Sequence, residues 1–230
     1  MSEMFSSSIF FGVLISLIAY EIGLLLKSKF QKAIFNPVLI AILFVITFLL
    51  IFDIDYESYE AGAKYLSYLL TPTTVCLAIP LYRQLALLKN NLKAILLGVL
   101  SGVFASLGSI LMLSFILCLS HEQYVTLLPK SITAAISMPL SQELGGLVTI
   151  TVTATMITGI FGNMIADSIC EKFKIEEPIA KGVAIGTASH AIGSAKALEM
   201  GPIEGAMSSL AIVVSGLVTV LAASVFATFM

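Results

Sequence analysis

Long apolar stretches, each closed by a short charged or proline-containing interval, set the pattern of this chain. The first covers residues 8–26 and is followed by Lys27, Lys29 and Lys32. The second covers 36–52 and starts on Asn36-Pro37; the acidic loop Asp53, Asp55, Glu57 and Glu60 comes after it. The third, 62–81, is interrupted by Thr71-Pro72-Thr73-Thr74 and leaves through Arg83, Lys89 and Lys93. A fourth runs over 92–119, a fifth over 147–169 and a last over 206–229. A membrane-spanning helix needs about 20 apolar residues, so these stretches predict an all-α polytopic membrane protein.

Two intervals break the pattern. Residues 130–146 read KSITAAISMPLSQELGG, too polar and too short for a lipid-facing span. Such backbone is tolerated at membrane depth only where protein buries it or a cavity adjoins it, so a re-entrant or broken element is expected. Residues 186–198 read GTASHAIGSAKAL and place Thr187, Ser189, His190, Ser194 and Lys196 among small residues. Ionisable groups at membrane depth are functional-site candidates.

Composition sharpens the class. The chain has 230 residues, 58% hydrophobic and 11% charged, with a mean hydropathy of +1.04. Soluble domains carry about 25% charged residues, so little of this chain is left for a soluble domain. The net charge of −2 and the lack of a long basic run give no sign of nucleic-acid binding. Cys76, Cys118 and Cys170 show no metal or CxxC spacing and read as small buried hydrophobes. No basic region precedes the first apolar stretch and no small-residue cleavage site follows it, so it reads as a retained span.

Lysine and arginine cluster after the first stretch, after the third, and at Lys172, Lys174 and Lys181. The positive-inside rule places all three clusters in the cytoplasm. That requires an outside N-terminus and an even number of crossings between Lys93 and Lys172. A non-crossing 130–146 element satisfies it; a crossing one inverts the second half.

The halves 1–120 and 121–230 resemble each other within a single transmembrane domain. Ala63-Lys64 leads to the Thr71–Thr74 interruption, and Ala180-Lys181 leads to the one at Thr187–His190. Each is followed by a long apolar helix, bearing Leu100-Ser101-Gly102 and Val214-Ser215-Gly216. With the topology above the halves run oppositely, predicting an inverted repeat with two discontinuous helices, a layout similar to elevator-type transporters. Broken helices expose amides at one half-helix end and carbonyls at the other, which suits ion and anion binding.

Candidate chemistry follows. His190 reads either as a proton-linked or substrate-bonding group or as a structural histidine held by a carbonyl. Thr187 and Ser189 flank it as substrate contacts, or bond back to their own helix. Lys196 and Lys130 are candidate counter-charges to a carboxylate, though Lys196 could equally snorkel to the interface. Thr71, Thr73 and Thr74 offer hydroxyls from the first interruption. Glu143 is a candidate for proton or cation coupling. Asn36 reads as a helix N-cap, and Asn163 and Asp167 as a wet helix end. No catalytic residue, metal site or cofactor is expected: Ser189 and His190 are adjacent on a helix and point about 100° apart.

Four stretches resemble the LrgB/CidB family: NPVLIAI (36–42), YLLTPTTVCLAIPLYRQ (68–84), PKSITAAISMPLSQELGG (129–146) and IAKGVAIGTASHAIGSAKALEMGPIEGAMSSLA (179–211). Local departures are TPTT where members often read GPAT, and ISMPLSQE in place of a TTPIA-like segment. The resemblance implies a holin/antiholin-like protein of the bacterial cell membrane, with a small LrgA/CidA-type membrane protein as partner. Relatives of the plastid glycolate/glycerate translocator type imply transport of small monocarboxylates of the pyruvate, glycolate and glycerate class. Two functions therefore compete: a secondary transporter of such organic anions, and a pore modulator that regulates murein hydrolase activity and lysis. A homodimer through the Phe-, Leu- and Val-rich helices is also expected.

Overall fold

A computed structural model describes residues 10–30, 33–76 and 78–230. Every regular element among them is helical. The chain divides into two compact units, 1–76 and 77–230.

The first unit contains α1 (Phe11–Phe30), α2 (Pro37–Ile51), α3 (Tyr56–Ser67) and α4 (Leu70–Cys76). Phe11, Ile15 and Ala19 of α1 bury against Val45 and Ile54. The Ser16 hydroxyl hydrogen-bonds Tyr59 Oη at 2.9 Å, tying α1 to α3. Asn36 caps α2: its Oδ1 accepts from the amides of Val38 (2.9 Å) and Leu39 (3.2 Å), which would otherwise lack acceptors in the first turn. The expected interruption at 71–74 is displaced. Those residues lie inside α4, and the helix breaks before it, at Tyr68-Leu69. Pro72 sits in the first turn of α4, where a missing N–H costs nothing, so it marks a start rather than a stop.

The second unit contains α5 (Ala78–Arg83), α6 (Leu85–Ile116), α7 (His121–Leu127), α8 (Ala134–Glu143), α9 (Val148–Lys172), α10 (Pro178–Met200) and α11 (Pro202–Phe226). Four described helices are long and apolar enough to cross a membrane: α1, α6, α9 and α11, the last continued to Phe229. Their outward faces are apolar, with Leu97, Phe104, Phe161, Leu217 and Leu221 all exposed. Inward faces carry small and hydroxylated residues instead, including Ser208, Ser215 and Gly216 on α11. This is the segregation expected of helices packed in lipid, and it makes the chain a multi-pass membrane protein.

Between the long apolar helices lie two elements that turn back on themselves. The stretch that follows Thr126 forms a hairpin, with residues 127–133 leading in and α8 leading back. A Cβ at Gly146, just past α8, would meet the Thr126 backbone of α7 at 3.0 Å, and the Leu147 amide donates to Thr126 Oγ1 at 2.8 Å. α8 runs back alongside α9, because Ser141 pairs with Thr151 (2.6 Å) and Ser137 with Thr155 (3.3 Å). At about 1.5 Å per residue, neither arm approaches the roughly 30 Å of hydrocarbon. The hairpin returns to the end it leaves.

α10 is the second hairpin. Its backbone leaves the helix at His190, with φ 43° and ψ −141°. A Cβ at Gly193 would lie 3.2 Å from the Ile185 carbonyl oxygen; eight residues of straight helix would separate them by about 12 Å. The chain therefore reverses at His190 into two arms, 178–189 and 191–200. This is sharper than the interrupted but continuing helix that the sequence suggests. Both arms pack on the start of α11, where Ser208 touches Gly186 on one arm and Ser194 on the other.

Candidate functional site

The two hairpins enter from opposite ends of α9 and approach each other near its residues 155–162. The α7–α8 turn carries Lys130 and Ser131 to the middle of α6, where Ser131 Oγ hydrogen-bonds Ser106 Oγ at 2.9 Å. The turn of α10 brings His190 against α9, its Nε2 2.9 Å from the Thr155 carbonyl oxygen. Gly159 and Gly162 of α9 make room for it: a Cβ at the first would collide with the His190 ring, and one at the second with the Ser189 side chain.

Further contacts hold the turn of α10. Asn163 Nδ2 donates to the Ile192 carbonyl at 2.8 Å. The Ser194 hydroxyl donates to the His190 carbonyl (3.2 Å) and pairs with Ser208 Oγ (2.6 Å). A non-glycine residue at such backbone angles costs of order 1–3 kcal/mol, and these bonds fix it in place.

A cleft of about 750 Å³ opens between α6, α9, the α7–α8 turn and the inner arm of α10. Lys130 is the one charged side chain among the described residues that line it. Ser106, Ser131, Thr158, Thr187 and Ser189 also line it, among Gly, Ala, Ile and Phe. Lys130 Nζ donates to Ser131 Oγ at 3.3 Å, and a lysine ammonium has two further donors. Thr187 is buried at 6% exposure, and its Oγ1 has no hydrogen-bond partner among the described residues. Buried hydroxyls are nearly always satisfied, so this one, next to the cleft, is a candidate partner for a bound polar group. A concave, mostly apolar cleft with a few convergent polar groups is the usual form of a small-molecule site.

Of the residues singled out from the sequence, Lys130, Thr187 and Ser189 line this cleft. His190 does not line it; its ring is buried between α9 and α10 on the Thr155 carbonyl. Lys196 is engaged elsewhere, in ion pairs with Asp167 of α9 and with Glu199 on its own arm. Glu143 is exposed at the end of α8. Thr73 is exposed on α4, in the other compact unit; the side chains of Thr71 and Thr74 lie outside the described ones. Ser106, Ser131 and Thr158 went unnoticed in the sequence, as did the bracing role of Asn163. The only sequence signal for them was position: serines spaced along an otherwise apolar α6, and an asparagine one third from the end of α9.

Thr187→Val is expected to raise thermal stability in detergent, by about 1 kcal/mol, because it replaces an unsatisfied buried hydroxyl with a methyl of the same shape. A lower melting temperature would mean that the hydroxyl already has a partner in the empty protein.

The fold thus defines a class: a multi-pass membrane protein in which two short helical hairpins meet at a cleft with a few polar groups. Residues 16–229 match the LrgB-like family, and the chain belongs to the LrgB family. It is 36% identical over 221 residues to the antiholin-like protein LrgB of Bacillus mycoides (strain KBAB4), covering 96% of each chain. The proteins of the same name from Bacillus cereus (strain B4264) and Bacillus anthracis (strain CDC 684 / NRRL 3495) give the same figures. No solved structure matches. Members of this family are membrane proteins and not enzymes.

Proposed function

We propose that the chain is a secondary transporter of small monocarboxylates, of the pyruvate, glycolate and glycerate class, in the bacterial cell membrane. An LrgA/CidA-type membrane protein is its proposed partner. The observation that carries this reading is the cleft between the two hairpin turns, with Lys130 as its charge and a buried Thr187 hydroxyl that has no partner among the described residues. An ammonium with hydroxyls around it suits one carboxylate and one further oxygen on a small skeleton.

The arrangement of the second unit supports the same reading. α6 followed by the α7–α8 hairpin, and α9 followed by the α10 hairpin, run in opposite senses. An inverted architecture with broken elements meeting at depth is the usual frame of alternating access. We place the inverted relation between these two groups; residues 71–74 belong to the other unit. His190, already committed to the Thr155 carbonyl, is assigned to holding the turn.

The name of the relatives favours a second reading, a pore modulator in lysis. Purified protein in liposomes separates the two. A transporter accumulates labelled pyruvate, glycolate or glycerate, saturates, and retains a trapped dye. A pore modulator releases the dye and shows no saturation. Failure to move any of these acids, alone or with an LrgA-type partner, would overturn the transport reading.

A further inference from the structure

A second cavity, of about 340 Å³, lies between α6 and the first arm of α10, toward the end where α9 finishes at Lys172. Asn91 and Glu177 stand at its outer end. Gly98 and Ala184 line both this cavity and the cleft that holds Lys130. The two spaces therefore adjoin along one seam of the second unit.

The seam is built from sequence spacing. On α10, Ala180, Ala184 and Ala188 recur every four residues, which places them on one face of the arm, and all three are exposed. The first two line the outer cavity and the last two the cleft. On α6 the facing positions include Gly98 and Gly102. A Cβ at Gly98 would meet Val183 Cγ1 at 3.2 Å, and one at Gly102 would meet Thr187 Cγ2 at 2.8 Å. Any larger side chain at either position would narrow the passage. Beyond Thr187 the far end of the cleft is stopped by the α7–α8 turn, fastened to α6 through Ser131 and Ser106.

We infer that this seam is a solute route from the Lys130–Thr187 site to the side of the membrane that carries the 173–177 loop, with Gly98 and Ala184 as its neck. The described conformation is open to that side and closed toward the His121 end by the first hairpin. The route serves the transport reading above, but its accessibility can be measured without any transport.

The test uses the full chain with Cys76, Cys118 and Cys170 replaced by alanine, so that no native thiol reacts. Single cysteines are introduced by Ala180→Cys, Ala184→Cys and Ala188→Cys. Glu176→Cys, in the exposed loop, reports which side is being sampled. A membrane-impermeant, sulfonate-bearing thiol reagent is applied to vesicles from one side and then the other. All three positions are expected to react from the side that modifies the Glu176→Cys reporter, with labelling lost from the opposite side. Adding Gly98→Leu is expected to abolish labelling at 188 and leave labelling at 180 intact, which also shows that the variant is folded. Labelling at 184 and 188 only from the opposite side would overturn the route. So would silence at both positions while 180 reacts. An accessible route without acid uptake would remove the transport reading and leave the route standing. Lys130-dependent uptake with an unreactive position 184 would do the reverse.

Discussion

Lys130→Gln should lower uptake of labelled monocarboxylate by about 30- to 100-fold, the equivalent of about 2–3 kcal/mol for a charge-assisted hydrogen bond to a carboxylate. The reason is its isolation. Lys130 is the one charged residue among the described residues lining the cleft, so no neighbouring cation compensates for its loss. The partners left behind are Ser131 and Ser106, which remain bonded to each other, so the turn keeps its place and the loss falls on binding. Lys130→Arg should retain part of the activity, since the charge stays while the geometry changes. Lys196→Gln is the informative contrast, because that lysine already pairs with Asp167 and Glu199. Its removal should change uptake little. Comparable losses in the Lys130 and Lys196 variants would sink the assignment of the cleft as the binding site.

The second large effect concerns packing. Gly186→Val should cost about 3 kcal/mol or more, because a Cβ there runs into the Ser208 backbone of α11, and overpacking of a tight contact typically costs about 1–3 kcal/mol. In a chain of this size such a loss lowers the melting temperature by about 6–12 °C. Most of the protein should then be lost during detergent extraction. Gly108→Ala gives the comparison, since a Cβ there meets nothing within 4 Å. It should be neutral or stabilising by about 0.5–1 kcal/mol, as expected when glycine leaves an open helix position. A thermally unaffected Gly186→Val protein would mean that α10 and α11 do not pack as described.

The sequence revealed the polar intervals at 130–146 and 186–198 because a charged or hydroxylated run stands out against apolar helices. It pointed to a re-entrant element at 130–146, but did not reveal that 186–198 holds a full reversal. A reversal needs non-helical angles at one or two residues, and here it occurs at His190, which has no reputation as a breaker. Proline gave the opposite error: Pro72 looks like a break, yet it lies in a first turn where it is harmless. Lys130, Thr187 and Ser189 were identifiable as candidates from residue type alone. Whether a cation is available to a ligand was not, because Lys196 finds Asp167 on a helix about thirty residues away, and no spacing rule connects them. His190 illustrates the same limit, since its partner is a backbone carbonyl, which leaves no trace in side-chain patterning.

The fastening of the second hairpin has a mechanical consequence. Three separate ties join α10 to α9: the ring of His190 on Thr155, the amide of Asn163 on Ile192, and the ion pair of Lys196 with Asp167. Ser194 adds a fourth, to α11. Toward α6, by contrast, the same element rests side chain upon glycine, Val183 on Gly98 and Thr187 on Gly102. A load applied to this unit would be carried by α9, α10 and α11 as one stiff block. It would be relieved where methyl groups rest on glycine, along the contact of α10 with α6.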